Sequence, residues 1–137
     1  MRSFILLLLS LSLLSACSRI QRARECQNLA REINAVIAEL EPLNKVKDPA
    51  KLEQAASKYE ALSKSLEQRS FETKGLGEAV KSYSKLLSQI AETLRTLGKT
   101  AKKDEATAFA LGATQMKALA SQQKRMTARV DRICQAP

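Results

Sequence analysis

The chain has 137 residues, with 23 Lys plus Arg against 14 Asp plus Glu for a formal charge of +9, and it contains no histidine and no tryptophan. Without histidine there is no Ser-His or Cys-His pair and no imidazole ligand, which disfavours nucleophilic and metal-dependent catalysis. Two Tyr and three Phe offer no stacking platform for single-stranded nucleic acid, so the positive charge reads either as contact with anionic envelope material or as a plain solubilising surface.

Met1-Arg2-Ser3 forms a short positive start, and Phe4 to Leu14 is apolar apart from Ser10 and Ser12. Spanning a bilayer takes about 20 apolar residues, so this run reads as an export signal rather than a membrane helix. It ends in Leu14-Ser15-Ala16-Cys17, which resembles the lipobox of bacterial lipoproteins: an aliphatic residue, two small ones and a cysteine. Small side chains admit an extended backbone to a peptidase cleft, and a thiol can form a thioether with a diacylglycerol. The resemblance covers only the first 17 or 18 residues. It implies diacylglyceryl transfer to Cys17, cleavage between Ala16 and Cys17, and acylation of the new amino terminus. Two or three acyl chains would hold the protein to a membrane, since each buried methylene contributes about 0.8 kcal/mol. Ser18 resembles the outer-membrane class of enteric-type sorting rules, where aspartate would retain the protein at the inner membrane. The expected site is therefore the outer membrane, facing the periplasm. The expected organisation is a cleaved leader over 1–16, a lipidated N-terminus and short tether over 17–25, and a helical bundle over 26–137. Arg2 leaves with the leader, so the mature charge is +8.

With Cys17 committed to lipid, Cys26 and Cys134 remain, an even pair in an oxidising compartment. An intramolecular disulfide is the expected outcome; two free thiols or a bridge to another chain are the alternatives. Two thiolates cannot close a tetrahedral zinc site, and neither metal nor cofactor is expected.

Four segments carry helical periodicity. The first runs Cys26, Leu29, Ile33, Val36, Leu40 and Leu43. The second runs Leu52, Ala55, Ala56, Tyr59, Leu62 and Leu66. The third runs Leu76, Val80, Tyr83, Leu87, Ile90, Leu94 and Leu97. The fourth runs Phe109, Ala113, Met116, Leu119, Met126, Val130 and Ile133. Pro42 weakens the end of the first helix, Asp48-Pro49 is a cap followed by proline at the first helical position, and Gly75 and Gly77 mark the next turn. At the third break two readings stand: a loop capped by Asp104, or one long rod through Lys99 to Glu105 in a three-helix or dimeric coiled coil. The four-helix reading gives an all-α, antiparallel up-down-up-down four-helix bundle with coiled-coil-like packing. That topology puts Cys26 beside Cys134.

The same topology gathers a basic collar at the membrane-facing end: Arg19, Arg22, Arg24, Arg69, Lys74, Lys124, Arg125, Arg129 and Arg132, opposed by Glu25, Glu72 and Asp131. Each such charge near an anionic surface contributes about 1 kcal/mol. A basic helix end satisfying its own dipole is the alternative. The far end carries Lys45, Lys47, Lys99, Lys102 and Lys103, and Glu32, Glu39, Glu60, Glu67 and Glu92 read as partners of bases on their own helices. The expected function is that of a non-enzymatic cell-envelope lipoprotein, anchored to the membrane by lipid and engaging an unknown envelope protein in a structural or partner-binding role. The alternatives are a module for an anionic ligand (lipid headgroup, lipopolysaccharide or peptidoglycan) and a self-associating coiled coil. No nucleic acid partner is expected.

Overall fold

A computed structural model describes the backbone over residues 2–40 and 48–136, and side chains over 18–40 and 48–136 except at positions 105, 109, 111 and 113. Among the described residues the chain is all-helical: α1 (Arg2–Leu40), α2 (Pro49–Glu67), α3 (Leu76–Ala101) and α4 (Glu105–Gln135). Leu43, Phe109 and Ala113 of the expected seams, Pro42, and Lys45 and Lys47 of the far end lie outside what is described there.

The helix boundaries follow from local chemistry. Asp48 caps α2, its carboxylate accepting the Ala50 amide at 2.9 Å, with Pro49 at the first helical position where no donor is needed. Asp104 caps α4, accepting the Thr107 amide at 3.1 Å and the Thr107 hydroxyl at 2.5 Å. The Lys103 and Asp104 amides donate back to the Thr100 carbonyl at 2.9 and 2.8 Å. That turn separates α3 from α4, so the single-rod reading does not hold. An uninterrupted helix would have carried Asp104 and Glu105 along the apolar seam, whereas a capped break puts the Asp104 carboxylate to use.

Residues 18–25, the expected tether, are helical and continuous with α1. No Gly or Pro interrupts Ser18 to Glu25, and Arg, Gln, Ala and Glu are good helix formers. Nine residues of helix at about 1.5 Å each span about 13 Å, so Cys26 stands a fixed distance along the axis from Cys17.

Packing centres on α3. The most extensive interface is α2 with α3, then α3 with α4, while α1 touches α2 and α4 more sparingly. Both neighbours bury α3, so its buried set runs from Leu76 through Tyr83, Leu87 and Ile90 to Gly98. Small residues let α2 and α3 approach closely. A Cβ on Gly98 would lie 3.4 Å from the Pro49 carbonyl oxygen, and buried Ser63 donates to the Ser84 carbonyl at 2.8 Å. Residues early in α2 thus meet residues late in α3. Toward the outside, Leu29 and Leu40 are the buried residues among the described side chains of α1, and Met116, Leu119, Met126, Val130 and Ile133 of α4 are half-buried against the core.

The surface glutamates work mainly between helices rather than along them. Glu39 pairs with Lys58, and Glu32 accepts from Ser65. Arg95 reaches Glu53 at 3.0 Å and Glu60 at 2.5 Å. Only Glu60 with Lys64, at 2.8 Å, keeps the expected same-helix spacing among the ion pairs of the described residues. Cross-helix pairing prevails because α1, α2 and α3 bring their flanking positions within side-chain reach, a distance that spacing along one helix cannot report.

Candidate functional site

One end of the molecule gathers most of the polar chemistry. Cys26 on α1 and Cys134 on α4 are joined as a disulfide, with 5.9 Å between their Cα atoms and 108 residues between them in the chain. One turn before Cys26, the Arg22 guanidinium donates to the Ala136 carbonyl beyond α4. These links set residues 22–26 of α1 beside the end of α4.

The connection between α2 and α3 closes over the same end, held by a residue the sequence reading had counted only as opposing charge. Glu25 accepts the Glu72 amide at 2.8 Å on one carboxylate oxygen and the Thr73 amide at 3.0 Å on the other, while Gln21 donates at 3.3 Å. Burial works to raise the Glu25 pKa, but the hydrogen bonds from Thr73, Glu72 and Gln21 together outweigh it and hold the carboxyl below its ordinary range. The signal was present in the sequence. Ser18, Gln21, Arg22 and Glu25 continue the three-and-four spacing of Cys26 and Leu29 upstream, as a polar extension of the apolar seam.

Beneath this connection lies an open cleft of about 470 Å³, lined by Arg22, Thr73, Lys74, Gly75, Arg129, Arg132, Ile133 and Ala136. A second cleft of similar size shares Arg22, Thr73 and Lys74 and extends to Ser18, Gln21 and Glu72. The two clefts adjoin at these shared residues, the second reaching Ser18, the residue that follows Cys17, and together they are termed the trough. Gly75, at φ +80°, begins α3 here with no side chain capping its first turn. Only a residue tolerant of the left-handed region fits that position, and glycine adopts it without a Cβ penalty.

Of the nine residues of the expected collar, Arg22, Lys74, Arg129 and Arg132 line the trough. The other five do not. Arg69 turns to α1, where its guanidinium lies 2.7 Å from the buried Glu32 Oε2 as an ion pair, without the alignment of a hydrogen bond. Arg19 and Arg24 are exposed on other faces of α1. Lys124 and Arg125 sit nine or more residues before Cys134, at least about 13 Å up the α4 axis, farther than the screening length of about 8 Å at physiological salt. Periodicity does not report which face of its helix each residue takes, and Lys124 and Arg125 fall short of that end altogether.

Several interactions restrain the trough. Arg129 lies 3.9 Å from the exposed Glu78, and Arg132 donates to the Ala128 carbonyl at 3.3 Å, serving the end of its own helix. Lys74 and Thr73 are positioned by the Glu25 clamp. The result is a shallow, solvent-open surface with four cations and one lining carboxylate, Glu72, suited to holding an anion and lacking an enclosed chamber. Among the described residues, no cluster of three or more His, Cys, Asp or Glu stands ready for a metal, and no helix is long and apolar enough to cross a membrane. No protein-family model, curated protein or solved structure matches this chain.

Proposed function

We propose that this chain is a non-enzymatic cell-envelope lipoprotein: a leader over 1–16 is removed, Cys17 carries lipid, and an antiparallel up-down-up-down four-helix bundle acts by contact with an envelope partner. The signal-like start and the lipobox resemblance support the anchor, and Ser18 supports the outer membrane. The order of the helix contacts supports the topology: Ser63 with Ser84, Gly98 with Pro49, Ile133 beside Gly75, and Cys26 with Cys134. The observation that carries the reading is the position of the basic trough, which begins at Ser18 and ends at Arg132. A lipid on Cys17 would put that trough at the headgroup layer.

The absence of histidine from the chain supports a non-enzymatic role. Mass spectrometry of the exported protein tests the anchor directly. The expected product begins at Cys17 and bears a diacylglyceryl adduct, and Cys17→Ser should abolish membrane retention. An unmodified Cys17, or a leader still attached, overturns the reading. Cross-linking in native envelopes should then return a protein contacting the outward helix faces.

The trough also favours a second reading, in which an anionic envelope ligand is itself what the bundle binds.

A further inference from the structure

We propose that the trough of Arg22, Lys74, Arg129 and Arg132 is a discrete site for a phosphate oxyanion, of the kind borne by a phospholipid headgroup or by free phosphate. This deepens the reading above and rests on it only for the source of the phosphate.

Four cationic side chains from three separate parts of the chain converge on one cleft: Arg22 from α1, Lys74 from the α2–α3 connection, and Arg129 and Arg132 from α4. Their convergence depends on two long-range ties, the Cys26–Cys134 disulfide and the Glu25 clamp on Glu72 and Thr73. Guanidinium groups present forked donors that match phosphate oxygens, and an ammonium adds a compact point charge. At the same cleft α3 begins on Gly75 without a side-chain cap, so its amino end adds a partial positive charge that favours an anion. Opposing this are Glu72 on the rim, Glu78 at 3.9 Å from Arg129, the carboxyl end of α4, and the hydrogen bonds that Arg22 already donates to the Ala136 carbonyl and Arg132 to the Ala128 carbonyl. Glu25 is occupied by its two amides and the Gln21 side chain, and so is already satisfied.

Position narrows the ligand. Ser18 lines the outer part of the trough and is the residue after Cys17, and Arg22 is five residues along the helix from Cys17, about 7.5 Å of rise. A phosphodiester at the level of the anchor would stand about one screening length of axial rise from Arg22. Arg129 and Arg132 lie deeper, so a lipid phosphate would enter at the Ser18 mouth and be met by Arg22 and Lys74 first.

Lys74 is the reporter. In the full lipidated chain purified in nonionic detergent, an amine-reactive label should modify Lys74 and Lys124, both exposed. Millimolar inorganic phosphate should slow labelling of Lys74 at least threefold and leave Lys124 unchanged, and acetate at equal ionic strength should do neither. Reconstitution into phosphatidylglycerol vesicles without added phosphate should give the same protection if the source is lipid, whereas protection by free phosphate alone assigns the site to a soluble phosphate. Arg129→Gln with Arg132→Gln should remove the protection. The matched charge loss Lys124→Gln with Arg125→Gln, read at Lys74, should retain it. Equal protection of Lys74 and Lys124, or none at Lys74 in either arm, overturns the site. The same digest reports the mass of the Cys17 peptide, so a missing lipid and a missing site are read separately.

Discussion

Glu25 accepts the amide of Thr73 at 3.0 Å across 48 residues of sequence, and this bond ties the connection between α2 and α3 to the face of α1. Charge-assisted hydrogen bonds contribute more than neutral ones, and the half-buried Thr73 amide would lose its acceptor. Glu25→Ala should therefore destabilise the protein by about 1–2 kcal/mol, with Glu25→Gln losing less because one acceptor remains. The sign with pH is set by the lowered pKa of this group. Its stabilisation is present above the ordinary value of 4.5 and is lost as pH falls through the lower folded value. Denaturant melts at pH 7 and pH 3 should show the gap between wild type and Glu25→Ala narrowing in acid. A gap independent of pH would remove the charge from this account.

Glu60 gives a sharper titration. Its hydrogen bond from Lys64, then the hydrogen bond and charge of Arg95, hold its pKa at about 2. Carboxyl NMR should find it titrating well below the other glutamates. Lys64→Ala and Arg95→Ala should each return it toward 4.5. Little change in stability is expected at neutral pH, because the network is solvent-exposed.

The disulfide joins two helices that otherwise touch sparingly. Reduction should lower stability by about 2–5 kcal/mol, the usual range for losing a native disulfide in a small domain. The loss should be local at first. Amides near Cys26 and Cys134 should exchange faster on reduction, while those of α3 around Leu87 and Ile90, buried between α2 and α4, stay protected. Uniform acceleration across α3 would show that the bridge supports the whole core.

Gly75 sits at φ +80°, where a Cβ would meet nothing nearer than Ile133 Cδ1 at 3.9 Å. Space is not the constraint there; backbone conformation is. Gly75→Ala should cost about 1–2 kcal/mol, and Gly75→Asn less. Thermal melts of the two variants suffice to check the order.

Ser63 is buried between α2 and α3, and its hydroxyl bonds Ser84 O and Ser88 Oγ, each at 2.8 Å. Ser63→Ala should cost about 0.5–1.5 kcal/mol, whereas Ser63→Leu should cost about 1–3 kcal/mol or more by overpacking. Comparable midpoints for the two variants would show the interface to be looser than described.

Much of the fold was written in local pattern. Alternating three-and-four spacings mark the helices, and Asp48-Pro49 and Asp104 mark their starts, because caps and periodicity act over a few residues and need no partner elsewhere. The pairing of Cys26 with Cys134 was legible for a related reason: once the helices are counted, short connections bring those two positions to one end. What tertiary packing alone decided is which faces meet. Arg69 leaves the collar for Glu32, and Arg22, Lys74, Arg129 and Arg132 converge. Glu25 becomes a clamp rather than a surface charge. Each of these outcomes depends on helix rotation and on distances between residues far apart in the chain, and a pattern repeating every three or four residues carries no information about either.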